Sequence, residues 1–248
     1  MDLMPRYPDK FFSLAIVDPP YGHAMTDEVY RGRNHNRFGR TFDKYEKMKM
    51  SRTGGTWQTK YEGRIKKWDI APGPEYFKEL FRVADRVIIW GGNYFDLPPS
   101  RNFIVWRKLT ISENFSMAMV EYAWTNIWGN AKYFECRPQD KYRFHPTQKP
   151  AALYRKLLSW YAKPGDIVLD THLGSGTHAQ ACIDMGIDLI ACEIDEFYYS
   201  KSIEMISDYC NRSRGYCIKL KNRVKTGCGR GKFTRTCRKT SGNNQKTG

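Results

Sequence analysis

Three observations predict an α/β fold with a doubly wound, mostly parallel sheet for this 248-residue chain. Short apolar runs alternate with segments whose apolar residues recur at helical spacing, an order typical of parallel α/β folds. The runs are apolar almost throughout, as expected for strands that helices cover on both faces. The length suits one sizeable core and leaves little room for a second full domain.

The first half of the chain supplies three predicted strands and one predicted helix. Residues 13–18 form an apolar run that a Pro-Pro pair ends. The sequence PEYFKELFRVA, from residue 74, predicts an amphipathic helix that begins at a proline, which the first helical position tolerates. Two further buried strands are predicted in RVIIW, which two glycines end, and in NFIVW, residues 102–106.

The second half continues the alternation after an aromatic and Asn-rich segment, residues 107–143, in which only VEYAWTNIW resembles a strand. The predicted elements are then a helix at 151–162, a strand at 167–170, a helix at 174–186, a strand at 188–195 and a helix at 196–209. Gly186 is expected to end the second of these helices. No internal repeat is present.

The net charge of +15 is concentrated in two segments. Residues 22–68 contain 12 Lys or Arg and 5 Asp or Glu, and residues 209–248 contain 12 basic residues and no acidic ones. The remaining core is mildly acidic. This distribution indicates a polyanionic partner such as nucleic acid, because phosphate contacts dominate sequence-independent affinity. Two solvated basic stretches without a partner are the alternative reading.

Cysteine usage and hydropathy bear on the compartment. Seven cysteines at irregular spacing are typical of reduced thiols. No apolar run is long enough for a membrane span and the first residues lack a signal-peptide pattern, so we expect a cytoplasmic protein without membrane contact. The tail cysteines contain no C-x-x-C pair, so no metal site is expected.

The sequence DPPY, residues 18–21, follows the first predicted strand. Asp18 would stand at the carboxyl edge of the sheet, and Pro19 and Pro20 would fix the direction of the chain after it. Tyr21 offers a flat face on which a nucleobase could stack. The alternative is a proline-stiffened turn in which Asp18 only accepts a backbone hydrogen bond.

A second pattern, DIVLDTHLGSGTHAQA, places a glycine turn between a buried strand and a helix. Such a turn lets a ligand approach the backbone closely at the edge where α/β folds bind ligands. Glu193 ends the next strand, where an acid commonly binds ribose hydroxyls. These features predict a nucleoside-containing cofactor. NAD fits less well because no G-x-G-x-x-G is present, whereas the ammonium group of S-adenosylmethionine suits the acid, Asp170, that ends the first of these strands.

Four motifs in order, DPPY, HPTQKP, DTHLGSGT and CEID, resemble those of the S-adenosylmethionine-dependent amino-methyltransferases of DNA. The order is similar to the β-type permutation, in which the catalytic half precedes the cofactor half, and WGGNYF with VWRK resembles phage and bacterial adenine-N6 members. The resemblance implies a Rossmann-like methyltransferase domain over residues 1–209. It contains a basic insertion at 22–68 and a target-recognition region at 107–144, and a basic tail follows at 210–248.

The resemblance also implies roles for individual residues. Asp18, Pro19, Pro20 and Tyr21 match the catalytic motif. The positions that match cofactor-binding segments are Asp170, Thr171, His172, Leu173, Gly174, Ser175, Gly176, Glu193, Ile194, His145, Thr147 and Lys149. Many members have Pro-Phe where this chain has Thr171-His172, and threonine in place of His178, so the methionine pocket differs in detail. We expect His172 to make local hydrogen bonds and not to act as a base.

The expected reaction is methyl transfer from S-adenosylmethionine to the N6 amino group of adenine in DNA. Asp18 and the Pro19 carbonyl would accept the two amine N–H groups, which favours an amine that attacks a methyl group. No covalent intermediate is needed, and no Pro-Cys motif supports cytosine-C5 chemistry. Three alternatives stay open: cytosine-N4 methylation, RNA methylation, and a catalytically silent DNA-binding protein on the same scaffold.

The sequence VYRGRNHNRFGR, residues 29–40, is the candidate DNA-contacting segment. Arg31, Arg33, Arg37 and Arg40 could bind phosphates or guanine edges, and the neighbouring Asn suits adenine. The hypothesis is that this insertion orders on DNA beside the catalytic cleft. The short recognition region is compatible with a stand-alone enzyme, either a monomer or a homodimer.

Overall fold

The computed structural model describes residues 3–22, 68–112, 118–138 and 143–212, together with the backbone of 231–234. The elements in chain order are β1 Phe12–Val17, α1 Pro74–Val83, β2 Ala84–Trp90, β3 Phe103–Lys108, β4 Val120–Thr125, β5 Lys132–Cys136, α2 Ala151–Tyr161, β6 Ile167–Asp170, α3 Thr177–Met185, β7 Asp188–Glu193, α4 Glu196–Arg212 and β8 Gly231–Thr234. Within these residues the strands form one sheet.

The sheet has eight strands in the order β5-β3-β4-β2-β1-β6-β7-β8. Only β4 and β8 run against the rest, since their pairings with β2, β3 and β7 are antiparallel and the other pairings are parallel. This confirms the predicted α/β fold with a mostly parallel sheet. Because β2 and β6 flank β1 on opposite sides, the switch in winding direction lies at β1, where such folds bind ligands.

Helices cover both faces of the sheet, as the apolar runs predicted. In β1, Leu14 and Ile16 pack in the cluster that contains α2 and α3, whereas Ala15 and Val17 pack in the cluster that contains α1. All four side chains are essentially inaccessible to solvent. Burial on both faces explains why this strand is apolar from residue 14 to residue 17 and shows no alternation there.

Two strands were not among the predicted elements. The edge strand β5 has the sequence KYFEC, in which half-buried and exposed positions alternate, so it lacks the apolar run of an interior strand. Strand β8 lies within the basic tail and pairs with β7. The last helix also extends to Arg212, three residues beyond its predicted end.

The basic insertion lies outside the described residues except for its ends, Gly22 and Trp68. These ends lie close together, because Gly22 N donates to Asp69 Oδ1 at 3.2 Å. The insertion therefore leaves and re-enters the domain beside the carboxyl end of β1. In the part of the chain that the structure describes, no helix is long and apolar enough to cross a membrane.

Candidate active site

The carboxyl ends of three adjacent parallel strands bring the sequence-predicted motifs to one edge of the sheet. Asp18 follows β1, Asp170 ends β6 and Glu193 ends β7. Strand β6 pairs with both β1 and β7, so the three carboxylates stand in a row of neighbouring strands. Residues that lie far apart in the sequence thus share one cleft edge.

Asp18 is a mostly buried carboxylate with a partner on each oxygen. Its Oδ1 accepts a hydrogen bond from the Tyr21 hydroxyl at 3.0 Å, and its Oδ2 accepts one from Lys149 Nζ at 2.5 Å. Burial raises the pKa of Asp18 above its usual value, while the Lys149 ammonium opposes that rise and Glu121 adds to it. Lys149 therefore favours the ionised form of Asp18 against the effect of burial.

Lys149 belongs to a buried chain of four charged groups. Its Nζ lies 3.1 Å from Glu121 Oε2, and Lys108 Nζ lies 2.6 Å from Glu121 Oε1. The Lys149 side chain is 4% exposed and its Nζ lies 5.3 Å from the centre of the Trp90 ring. The resemblance assigned Lys149 to the methionine part of the cofactor, whereas its ammonium binds the side chain of Asp18.

Sequence reasoning missed Lys108 and Glu121. Glu121 lies in the predicted strand segment VEYAWTNIW, and Lys108 ends β3. Glu121 could have been found, because it is the charged residue of an otherwise apolar and aromatic strand segment. A charge in such a strand is rarely buried without a partner of opposite charge.

Tyr21 packs against a tight glycine turn at the end of β2. Its ring stacks on Tyr94 with 4.6 Å between centroids and 24° between planes. Gly91 has a φ of +65°, and a Cβ there would lie 2.1 Å from Tyr21 Cε1. Gly91 is therefore required both by its backbone conformation and by the tyrosine ring beside it. Tyr94, which covers the expected stacking face, is half exposed.

The glycine turn between β6 and α3 has the conformation expected of a close-approach loop. Gly174 and Gly176 have φ values of +55° and +78°. A Cβ on Gly176 would lie 3.0 to 3.2 Å from Met205, Ile206 and Ser202 of α4. Gly176 thus lets α4 pack directly on the start of α3.

Backbone amides hold Glu193. Its Oε2 accepts from Gly174 N at 2.7 Å, and its Oε1 accepts from Ile194 N and Asp195 N, both at 2.9 Å. A carboxylate offers about four lone-pair positions, so about one stays available for a ligand hydroxyl. Burial raises the pKa of Glu193, and the three N–H groups oppose the rise.

Asp170 is bound by two groups and is almost fully buried. Its Oδ1 accepts from His172 N at 2.9 Å, and its Oδ2 pairs with His178 Nδ1 at 2.8 Å. The His178 ring lies flat on Tyr154, with 4.4 Å between centroids. Burial lowers the pKa of His178, but Cys182 and Asp170 outweigh it and raise the pKa to about 10. His178, at which the chain departs from the family pattern, is thus a partner of Asp170, a pairing that the sequence did not predict.

His172 makes a hydrogen bond to its neighbour in the chain and an edge contact with the Tyr76 ring, 5.6 Å between centroids. Its Nδ1 lies 2.9 Å from Thr171 Oγ1, which in turn lies 2.6 Å from the Tyr76 hydroxyl on α1. Burial lowers the pKa of His172 to about 4, with a small opposing effect of Asp170. A neutral, hydrogen-bonded ring agrees with the expected local role.

His145 lies between aromatic rings beside the glycine turn. It stacks on Trp68 at 5.5 Å and meets the edge of Tyr198 at 4.2 Å, and its Nδ1 accepts from Thr147 N at 3.3 Å. Burial, with smaller effects of Arg143 and Lys149, lowers the pKa of His145 to about 3. The neutral imidazole therefore forms an aromatic side of the cleft above Gly174. A Cβ at Gly174 would lie 3.5 Å from this ring.

The other predicted residues have mixed positions. Ser175 is buried at the turn, Ile194 is 62% exposed beside Glu193, and Pro19 and Pro20 follow Asp18. Arg31, Arg33, Arg37 and Arg40 lie outside the described residues. Within the ranges that the structure describes, no cluster of His, Cys, Asp and Glu could hold a metal ion.

Residues 105–204 match a family model described as DNA methylase, the N6/N4 methyltransferase family. Among curated proteins, the DNA adenine methyltransferase YhdJ of Escherichia coli strain K12 is 38% identical over 104 residues, 41% of this chain and 34% of that protein. The type II methyltransferase M.HpaI of Haemophilus parainfluenzae is 33% identical over 87 residues, 35% of this chain and 27% of that protein. The matched segments thus span about a third or less of these relatives.

Two solved structures are similar to most of the chain at low sequence identity. The M1.HpyAVI–SAM complex has a TM-score of 0.46 at 19% identity, covering 81% of this chain and 90% of that one. The cytosine-N4-specific PvuII DNA methyltransferase has a TM-score of 0.45 at 15% identity, covering 85% and 88%.

The strand order, the glycine turn and the row of carboxylates define a Rossmann-like α/β protein with a site at the switch point of its sheet. The family match over β3 to α4 narrows that class. Residues 105–204 are thus similar to the N6/N4 family of DNA methylases, and the matched segment includes the glycine turn and Glu193.

Proposed function

We propose that this protein transfers a methyl group from S-adenosylmethionine to the N6 amino group of adenine in DNA. The observation that carries the proposal is the shared edge at which Asp18, the glycine turn and Glu193 meet on adjacent strands. The name of the E. coli relative, a DNA adenine methyltransferase, supports adenine, although the family name includes cytosine-N4 enzymes.

The residues of the cleft fit the cofactor. Glu193 keeps about one acceptor position for a ribose hydroxyl after its three amide bonds. Gly174 leaves space beneath the His145 ring, and the exposed Ile194 offers an apolar surface beside Glu193. Asp170 is a buried acid beside the turn, and His178 already pairs with one of its oxygens. Bound S-adenosylmethionine would supply an electrophilic methyl group on a positively charged sulfur.

In the proposed reaction the protein positions the amine and takes up its proton. Asp18 Oδ1 and the Pro19 carbonyl accept the two N–H groups of the target amine, which localises the nitrogen lone pair. As the N–C bond forms, the bond between the methyl carbon and the sulfur would break, the cofactor would leave as a neutral thioether, and the nitrogen would lose one proton to Asp18. Lys149 keeps Asp18 ionised beforehand through its contact with Oδ2.

The target base needs a surface on which to stack outside the duplex. Tyr21 offers its ring, and stacking on an aromatic side chain contributes roughly 1–3 kcal/mol per base. Tyr94 covers that ring and is half exposed, so it has room to move aside when a base enters. The Tyr21–Tyr94 stack therefore fills the place proposed for the flipped base.

The basic insertion is the proposed DNA contact. Both of its ends lie at the catalytic edge, where Gly22 N bonds Asp69 and Trp68 stacks on His145. Replacing Arg31, Arg33 and Arg37 with alanine should weaken DNA binding and lower the slope of log affinity against log salt by about one unit for each arginine that binds a phosphate. An unchanged slope would show that this insertion does not bind phosphate.

The test is to incubate DNA with the protein and methyl-labelled S-adenosylmethionine, digest the DNA and separate the nucleosides. Labelled N6-methyladenine is expected. Labelled N4-methylcytosine would move the assignment to the other branch of the family, and label only in an RNA control would move it to RNA. Cofactor binding without transfer to either nucleic acid would indicate a catalytically silent DNA-binding protein.

A further inference from the structure

We infer that Lys149 and Glu121 are positioning residues that act through Asp18. Lys149 keeps the carboxylate of Asp18 ionised and oriented. Glu121 limits how strongly Lys149 stabilises that negative charge. The inference rests on the proposed function, because it assigns these residues to the same proton-accepting carboxylate. Neither residue needs to touch the substrate.

The four groups of the chain come from four separate segments. Asp18 follows β1, Lys149 lies in the loop before α2, Glu121 lies on β4 and Lys108 ends β3. Their charges alternate, so the buried cluster is neutral as a whole. Burying isolated charges is strongly unfavourable, and a chain of this kind persists only when each member is paired.

The two contacts of Lys149 are not equivalent. Its Nζ makes a hydrogen bond to Asp18 Oδ2 at 2.5 Å. Glu121 Oε2 lies farther away, at 3.1 Å from the same Nζ. The closer contact is with Asp18, and an ammonium has three N–H groups, so Glu121 can weaken the hold of Lys149 on Asp18 without replacing it.

Orientation follows from the same contacts. Lys149 occupies Oδ2 and the Tyr21 hydroxyl donates to Oδ1, which fixes the plane of the carboxylate. A base that enters by displacing Tyr94 would meet a carboxylate already turned by Lys149. This arrangement removes the need to order Asp18 during the reaction.

Several titratable groups surround Asp18 and Lys149. From the elements packed around them these are Tyr21, Lys108, Glu121, Asp170, Tyr76, Tyr154 and His145. The tyrosines have pKa values raised by burial and the pKa of His145 is lowered to about 3, so these four are neutral near pH 7. Glu121 and Lys149 are thus the nearest groups whose charge a conservative substitution can remove.

The consequence for the reaction is a compromise in the acidity of Asp18. Lys149 lowers the pKa of Asp18 and Glu121 raises it, both against the rise that burial causes. A carboxylate held too strongly by a cation accepts a proton poorly, whereas a buried carboxylate without a cation is more readily protonated before the reaction begins. The network is neutral as a whole, but two acids, Asp18 and Glu121, share the ammonium of Lys149. This sharing leaves Asp18 ionised and still able to accept the amine proton.

The first test is Glu121→Gln, which keeps shape and removes one charge. The acid limb of the kcat–pH profile should move to lower pH by about one unit, and the plateau rate should fall about 3- to 10-fold, because Asp18 becomes a weaker base. Glu204→Gln is the matched control: it removes an exposed carboxylate on α4 that lies outside the network, and its pH profile should equal that of the wild type.

The second test needs no turnover. In protein without cofactor, the side-chain carboxyl of Asp18 is labelled with ¹³C and titrated by NMR. Its midpoint should fall in Glu121→Gln and rise in Lys149→Met, and the latter variant should lose at least about 100-fold in transfer at pH 7 and regain activity as pH rises. If Glu121 and Lys149 had merely structural roles, the two substitutions would change the amount of folded protein and leave the titration midpoint of Asp18 unchanged in both variants.

Glu121→Gln leaves Lys108 without its buried partner and could fail to fold. The double variant Lys108→Met with Glu121→Gln keeps the cluster neutral. In this variant the titration midpoint of Asp18 should also move to lower pH, by less than in Glu121→Gln alone. A folded variant with an unchanged Asp18 midpoint would overturn the inference. A wild type that transfers no methyl group would instead refute the proposed function, and the NMR titration would still decide whether the network sets the ionisation of Asp18.

Discussion

Asp18 after β1 and Glu193 at the end of β7 are both buried carboxylates at one edge of the sheet, but different groups bind them. Two side chains hold Asp18, that of Lys149 from a distant segment and that of the neighbouring Tyr21. Three backbone N–H groups of adjacent turns hold Glu193. Amide donors have no charge to lose, whereas an ammonium responds to its other neighbours.

The difference separates two tasks. A carboxylate bound by backbone amides has a fixed position, which suits recognition of a ligand hydroxyl. A carboxylate bound by a cation has an adjustable proton affinity, which suits a group that takes up and releases a proton. The predictions below test this division, from the largest expected effect to the smallest.

The largest effect is expected for Asp18→Ala. Methyl transfer should fall by at least about 10³-fold, because the proton acceptor for the amine is lost. Cofactor affinity, measured by calorimetry, should stay within about threefold, since Asp18 lies outside the glycine turn. Loss of cofactor binding in this variant would mean that the two carboxylates do not have separate tasks.

Glu193→Ala should have the opposite pattern. Cofactor affinity should fall about 10- to 100-fold, while kcat at saturating cofactor changes little, because the variant loses a ribose contact and leaves three amides unpaired. Glu196→Gln, an exposed acid at the start of α4, is the control and should bind cofactor normally. Equal losses in kcat and in affinity would contradict a purely binding role for Glu193.

Gly91→Ala tests the packing beside the catalytic motif. The new Cβ would overlap the Tyr21 ring, so transfer should fall about 10-fold beyond the roughly 1–2 kcal/mol lost from stability by a left-handed alanine. Gly186→Ala is a matched control, since its φ is +67° and no atom lies within 4 Å of its Cβ position. Similar activity in the two variants would show that Tyr21 does not need its place against Gly91.

The smallest expected effect on methyl transfer concerns His178, whose charge bears on stability and its dependence on pH. The pKa of His178 is about 10 in the folded protein and about 6.5 in the unfolded chain, so the folded state binds the extra proton. Its stabilisation should be complete below pH 6.5 and should decline as pH rises from there to about 10. The measurement is the difference in unfolding free energy between wild type and His178→Phe across that range. A difference independent of pH would show that His178 is neutral.

Local signals were enough for several parts of the fold. The continuous apolar sequences of β1 and β6 predicted strands covered on both faces, and the proline at the start of α1 marked its first residue. Strand β5 escaped prediction because an edge strand has alternating exposure, and its sequence carries no apolar run. Strand β8 escaped because the composition of the tail favours a solvated segment.

The sequence by itself determined the order of the elements and the acids and glycines at the strand ends, because these follow from local patterns of hydropathy, turn residues and chain direction. Its assignment of individual residues to catalysis and cofactor binding stays a prediction. The tertiary structure decided that Lys149 turns to Asp18, that Glu121 and Lys108 extend the ion chain, and that Tyr94 covers Tyr21. Those contacts depend on how strands remote in sequence are placed side by side, and charge pairing in a buried site is decided by distances that no local pattern encodes.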